Sequence, residues 1–336
     1  MDVRSRVGLA LGAALACILL VCATVVRGGA PPILGGCAVF PSDNVWNMPV
    51  DTLSLDPNSA TYVNTIGPAS VLHPDFGTEY GIPYTTTTAG TQPKVTIEWT
   101  HYGSESDPGP YPIPTAAPIE GGLGSDGDRH VLVVDRDACV LYELYRAFPQ
   151  ADGHWHADSG AVFPLGSNAL RTDGWTSADA AGLPILPGLV RYEEVAAGEI
   201  RHAIRLTVPQ TRRAYVWPAR HFASSLTGAQ YPPMGQRFRL KAAKNIFTFP
   251  PDVQVILTAL KKYGMIIADN GTQWYITGAP DPRWNDDTLH TLQQIHGSDF
   301  EAVDESGKRV DPDSGRTSIP GPMDHFTYAP VILKRR

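Results

Sequence analysis

Residues 128–190 read DRHVLVVDRDACVLYELYRAFPQADGHWHADSGAVFPLGSNALRTDGWTSADAAGLPILPGLV, and this stretch decides the fold. Two apolar runs, Val131 to Val134 and Val140 to Leu144, flank the polar turn Asp135-Arg136-Asp137, the pattern of a β-hairpin. A third strand-like run, Trp155 to Leu165, follows a break containing Gly153. Beyond it Gly, Asp, Ser and Pro crowd around apolar residues, as they do in ordered loops.

Downstream, His202 to Val208 alternates as a half-buried strand, and Tyr215–Trp217 and Arg237–Leu240 read as shorter ones. Residues 251–263 predict a helix, with Pro251 and Asp252 in its first turn, an apolar stripe of Val253, Ile256, Leu257 and Leu260, and Gly264 as its stop. Met265–Ala268 and Trp274–Ile276 flank Asp269-Asn270-Gly271 and read as a second hairpin. A further helix is expected over 286–296, capped by Asn285 or Asp286. Upstream, 58–66 reads as a short surface helix and 94–99 as a strand. Residues 103–127 are proline-rich and aperiodic; Tyr111, Ile113 and Ile119 within them predict a loop that packs down as a lid or rim over the hairpin and borders the main pocket. Short strands outnumber helices, which predicts a β-dominated α+β fold, a β-sandwich of jelly-roll type with peripheral helices. Residues 31–304 form one domain in this reading, and the chain from Glu305 onward a mostly disordered tail.

Val7 to Val26 carry no charge and follow Arg4 and Arg6, so residues 1–30 read as a secretory signal peptide or an outward-facing N-terminal membrane anchor. Either implies a secreted or periplasmic location. Setting that segment aside, with Arg4, Arg6, Arg27 and Asp2, leaves 24 basic against 33 acidic residues, a net charge of −9. That excludes a nucleic-acid-binding domain, which would show a basic face. Cys37 and Cys139 are the two cysteines outside the hydrophobic N-terminus, and an oxidising compartment predicts that they pair, with Cα atoms within about 7 Å. Nothing in the sequence asks for a cofactor or for more than a monomer.

The runs GWTSADAAGLPILPGLVRY, DRHVLVVDRDACVLYELY, AYVWPARH and KYGMIIADNGTQWYITGAPDPRW resemble an uncharacterised family of exported bacterial proteins, over most of residues 37–304. The resemblance implies export and a single module, and it brings no activity and no catalytic residues.

No G-x-S-x-G elbow, Walker loop or H-E-x-x-H motif is present, so serine hydrolase, nucleotide-binding and zincin chemistries lose their support. His154 and His156 share a strand face but lack a third ligand at a metal-site spacing, and no metal site is assigned. Thr176-Ser177-Ala178-Asp179 has the spacing of a capping box at a helix start. Glu143 shares a face with Leu141 and Tyr145, and a carboxyl in an apolar cleft has the raised pKa of a general acid. A fold-supporting ion pair with Arg129 or Arg146 is the competing reading. Across the turn, Asp128, Arg129 and His130 face the level of Glu143 and Tyr145.

These residues suggest a glycoside hydrolase acting on an extracellular polysaccharide. In that scheme Glu143 is the acid, and Asp128 or a lid carboxylate, Glu120 or Asp126, is the base or nucleophile; carboxyl separations of about 5–5.5 Å predict retention and about 6.5–9.5 Å inversion. His130, Arg129 and a tyrosine such as Tyr142 would instead serve a polysaccharide lyase. Trp155, Trp175 and Trp284, with Arg129 and Tyr145, are the expected glycan contacts, since sugar rings stack their C–H faces on aromatic rings. A non-catalytic carbohydrate-binding or cell-envelope module would need only such a platform.

Overall fold

A computed structural model describes residues 30–88 and 90–318; the N-terminal hydrophobic segment and the chain beyond 318 lie outside the described residues. The strands are β1 (Ile33–Leu34), β2 (Cys37–Ala38), β3 (His73–Asp75), β4 (Tyr84–Thr87), β5 (Ile97–Trp99), β6 (Val131–Asp135), β7 (Val140–Tyr145), β8 (Phe148–Pro149), β9 (Trp155–Ala157), β10 (Ser159–Pro164), β11 (Ile204–Val208), β12 (Arg237–Leu240), β13 (Met265–Asn270), β14 (Tyr275–Thr277) and β15 (Phe300–Ala302). The helices are α1 (Ser59–Ile66), α2 (Tyr192–Ala196), α3 (Pro251–Lys262) and α4 (Asp286–His290). The fold is α+β and β-dominated. None of the described helices is long and apolar enough to cross a membrane.

The expected hairpin is β6–β7, registered with Val131 opposite Leu144 and Asp135 opposite Val140. It sits inside a four-stranded sheet ordered β10-β7-β6-β4. Directly opposed residues share a face, so the period-2 pattern of this hairpin serves two cores. Leu132, Val134 and Leu141 enter the large core, while Val131, Val133 and Leu144 enter a smaller one with Tyr111, Ile113, Ile119 and Trp155. The run 155–165 breaks at Asp158, giving β9 to the three-stranded sheet β5-β9-β8 and β10 to the four-stranded one.

The larger sheet has six strands, β15-β12-β13-β11-β14-β3. Here the expected second hairpin is corrected. β13 and β14 do not pair with each other, because β11 lies between them, parallel to β13 and antiparallel to β14. With β4 parallel to β6, β5 to β9 and β14 to β3, the sheets are mixed. Helix α3 follows its predicted stripe closely, burying Val253, Ile256, Leu257 and Leu260.

Between the two larger sheets runs a strap, residues 176–191, almost wholly buried. A loop there must have its backbone groups satisfied from within the protein. Both sheets supply partners. Ala181 donates its N–H to Ala268 O (2.9 Å) and Val190 to Thr277 O (3.1 Å) on the six-stranded side. From the four-stranded side, Ser159 Oγ donates to Ser177 O (2.7 Å) and His130 Nε2 lies 3.1 Å from Ala178 O. Close approach also demands Gly188, where a Cβ would fall 2.8 Å from the Trp46 ring and 3.0 Å from Arg205. The capping-box reading fails for the same reason: 176–179 opens no helix, and Asp179 faces Arg205 instead.

Cys37 and Cys139 form a disulfide with Cα atoms 5.5 Å apart and 102 residues between them in sequence. Closing a loop of that length contributes about 5 kcal/mol in the chain-entropy account. The segment expected to be loose after Glu305 is packed as far as residue 318. Glu305 pairs with buried Arg237 at 2.7 Å, Asp313 with Arg220 at 2.7 Å, and Arg316 with Asp43 at 2.9 Å. Its contacts are polar, so an apolar pattern could not reveal them.

Candidate functional site

Glu143 is fully buried, and what it touches is the strap. Its Oε1 accepts the N–H of Leu186 at 2.9 Å, and the Ile185 N–H lies 3.0 Å from both carboxyl oxygens. Burial pushes this carboxyl up to about 7, against the two backbone donors that favour the ion. The raised pKa expected from the sequence is present, but the open cleft is not. Glu143 is therefore a hook that satisfies the strap backbone, and it pairs with neither Arg129 nor Arg146. Glu143→Gln replaces one acceptor oxygen by an N–H2 facing backbone donors, and should lower stability by about 1–3 kcal/mol in urea unfolding. An unchanged midpoint would show that the strap does not need it.

The working groups gather beside the strap at Asp179. Across β11, β14 and β3 the register places Arg205, Thr277 and Asp75 in one row, and Asp269, Thr207, Tyr275 and His73 in the next, all on one face. A bulge makes this possible. The β11–β13 register slips between Leu206 and Thr207, so Thr207 faces Asp269 where an unbroken ladder would give it Ala268. Bulges re-aim a side chain in this way and often lie next to active sites. Asp269 then joins the Arg205 face.

Arg205 is buried and held at both ends of its guanidinium. Nε and Nη2 donate to the two oxygens of Asp179 at 2.7 and 2.8 Å, Nη1 donates to Thr277 Oγ1 at 2.9 Å, and Asp269 Oδ2 lies 3.6 Å from Nη2. Burial and the neighbouring Asp179 carboxylate push the Asp269 carboxyl up to about 7, although 28% of its side chain stays open. Asp75 is also raised, first by burial, with Glu120 and Asp128 adding repulsion.

The lid closes the other side. His130 Nδ1 lies 2.6 Å from Glu120 Oε2, the His130 N–H lies 3.3 Å from the same oxygen, and Glu120 donates its N–H to His130 O at 3.0 Å. Since Nε2 faces the carbonyl of Ala178, both ring nitrogens face acceptors, an arrangement that suits the imidazolium. Burial opposes charge on each partner, but their mutual hydrogen bond and attraction win. His130 is raised and Glu120 is lowered. The result is a half-open site in which one carboxyl is held near neutrality and another is held ionised.

Of the residues expected at a site, His130 and Tyr145 meet, with ring centroids 5.6 Å apart, and exposed Asp128 lies near enough to act on both their charges. Arg129 is elsewhere employed: it donates to the carbonyls of Ala147, Gly122, Leu123 and Ser125 and lies over the Phe148 ring, which fixes the lid. Tyr142 packs on the opposite face against the small core, so the lyase set of His130, Arg129 and Tyr142 is not assembled. Trp155 and Trp284 are core residues, the latter wedged against Phe76 and Tyr192, and offer no platform. Trp175 is half-buried beside Arg171. The lid does lie against the hairpin, but it does not line the cavity of about 720 Å³ bordered by Tyr215, Trp217 and Arg237, which shares no residue with this cluster. Convergence of titratable groups, rather than volume, marks the candidate active site.

Asp75, Asp269 and Arg205 are absent from the sequence expectation. Arg205 carried a usable signal, since an arginine within an otherwise apolar strand needs a buried acid. Asp269 carried none, because its aim depends on the bulge. Comparison with family models, with curated proteins and with solved structures gives no match to this chain.

Proposed function

We propose that the protein is a secreted glycoside hydrolase acting on a polysaccharide, with Asp269 as the acid and Glu120 as the base or nucleophile. The observation that carries this reading is the split between two carboxyls of one half-open site: Asp269 raised to about 7 and Glu120 held ionised by His130. Pairs of titratable groups whose surroundings drive their pKa values apart are the mark of acid and base roles. Asp269 gives its proton to the glycosidic oxygen as the C–O bond breaks. Glu120 takes the proton of the attacking water, or attacks the anomeric carbon itself. Burial and Asp179 keep Asp269 protonated against the pull of Arg205, His130 keeps Glu120 ionised, and neither Arg205 nor His130 touches substrate in this scheme. The disulfide suits an oxidising, extracellular setting.

The test is release of new reducing ends from a panel of plant and microbial polysaccharides by the purified protein, read beside the absorbance of unsaturated uronates. Reducing ends without that absorbance are expected. Unsaturated products would make the protein a lyase, and no release from any member, with a glycan still bound, would make it a binding module.

A further inference from the structure

The cavity of about 720 Å³ is lined by Val216, Trp217, Ala219 and Arg220 of the 216–221 segment and by none of the residues of the carboxyl cluster. Arg220 N donates to Ala181 O at 2.8 Å and His221 Nδ1 lies 2.8 Å from Ala180 O, so both contacts join the segment to the strap. The floor of the cavity includes Arg220, Gln236, Arg237 and Glu305; its rim includes Tyr215, Trp217, Asp304, Ser306, Arg309 and Asp313. Its size falls within the range of about 300–1,000 Å³ typical of small-ligand sites.

The floor arginines are each paired, Arg237 within the floor and Arg220 with exposed carboxylates. Arg237 pairs with Glu305 at 2.7 Å, and Arg220 with Asp313 at 2.7 Å and Asp173 at 3.6 Å. On the rim, Asp56 accepts the Asn58 N–H at 2.7 Å and Asp304 the Ser306 N–H at 2.9 Å. An ionic ligand would have to break such pairs or enter unpaired, which is costly. Charge is left at the exposed rim, on Asp56, Asp304 and Arg309, and the buried floor offers no unpaired charge. Gln236, 4% exposed, spends its amide N–H2 on the carbonyls of Arg237 and Val303, and its Oε1 accepts no hydrogen bond among the described residues. That oxygen is the uncommitted end of the amide and can accept a hydrogen bond from a ligand or from water. Tyr215 and Trp217, both half-buried, add aromatic surface, with the Trp217 indole anchored by a 2.8 Å bond from Nε1 to Ser314 O.

We infer that this cavity is a second, non-catalytic site for a neutral sugar, with Gln236 Oε1 accepting from a hydroxyl and Tyr215 and Trp217 stacking on the ring. It stands on the cavity alone and shares only the ligand class with the proposed function. The test is calorimetric titration of the full chain with cellohexaose, xylohexaose, mannohexaose and arabinohexaose, and with hexagalacturonate as a charged probe, all in an Asp269→Asn background that blocks turnover. At least one neutral hexasaccharide should bind, and Trp217→Ala and Tyr215→Ala should each weaken it 10-fold or more. Melting temperatures are taken in parallel, so a variant that unfolds is set aside and the other decides; if both unfold, Gln236→Glu, which changes charge at constant size, takes their place and should weaken binding as much. Binding by no neutral probe, a preference for hexagalacturonate, or equal affinity in the variants would overturn the inference. Absence of hydrolysis by the wild-type chain, with this binding intact, would remove the proposed function and leave the second site standing.

Discussion

Asp269→Asn should lower kcat on a responsive polysaccharide by about 10²- to 10⁴-fold, the usual weight of a general acid, while leaving the fold intact. Asparagine keeps the shape of the side chain and can still face Arg205, but it has no proton to give the leaving oxygen. The stability sign separates this residue from the hooks. A carboxyl whose folded pKa lies above its unfolded value stabilises the fold fully below the unfolded value and loses that contribution as pH rises through the folded one. For Asp269 the loss falls between about 4 and 7, where burial and Asp179 oppose its ionisation. At pH 8 the Asn variant should therefore melt no lower than the parent. Glu120→Gln should cost a similar factor in kcat, since the carboxylate held by His130 is gone. If Asp269→Asn retains activity, the acid lies elsewhere.

Arg205→Met should be the most damaging single change to the fold, by about 3–5 kcal/mol, because it leaves the Asp179 carboxylate fully buried without its cation. The same change removes the donor to Thr277 and the charge nearest Asp269. It ties the strap to the six-stranded sheet, as Glu143 ties it to the four-stranded one. The double variant Arg205→Met, Asp179→Leu should recover most of the loss, since replacing both members of a buried pair by apolar groups is often neutral. A single variant as stable as the parent would mean that the strap is held by packing alone. Urea midpoints at pH 7 decide this.

Local elements were readable from local pattern, and pairings were not. The stripe of α3, the Asn285 cap whose side chain accepts from Thr288 N–H, and the β6–β7 hairpin all rest on residues close in sequence. The β13–β14 hairpin looked equally sound around Asp269-Asn270-Gly271. Yet β11, ending about sixty residues earlier, is inserted between those strands, and no local signal encodes that choice. The site suffered from the same limit. The lid was read onto the hairpin, and Glu120, one of its carboxylates, does meet His130. Alternation tells which face Glu143 takes, but not what covers that face. The strap covers it, and a buried loop in need of acceptors turns a promising acid into a hook.

The most direct test is the pH dependence of kcat for hydrolysis, wild type against Asp269→Asn. The wild-type rate should be sustained on the acid side of neutrality and fall as pH rises through about 7, where Asp269 gives up its proton. The residual rate of the variant should lack that limb. A wild-type rate that climbs through the same range, or an identical descending limb in the variant, would contradict the assignment of Asp269 as the acid.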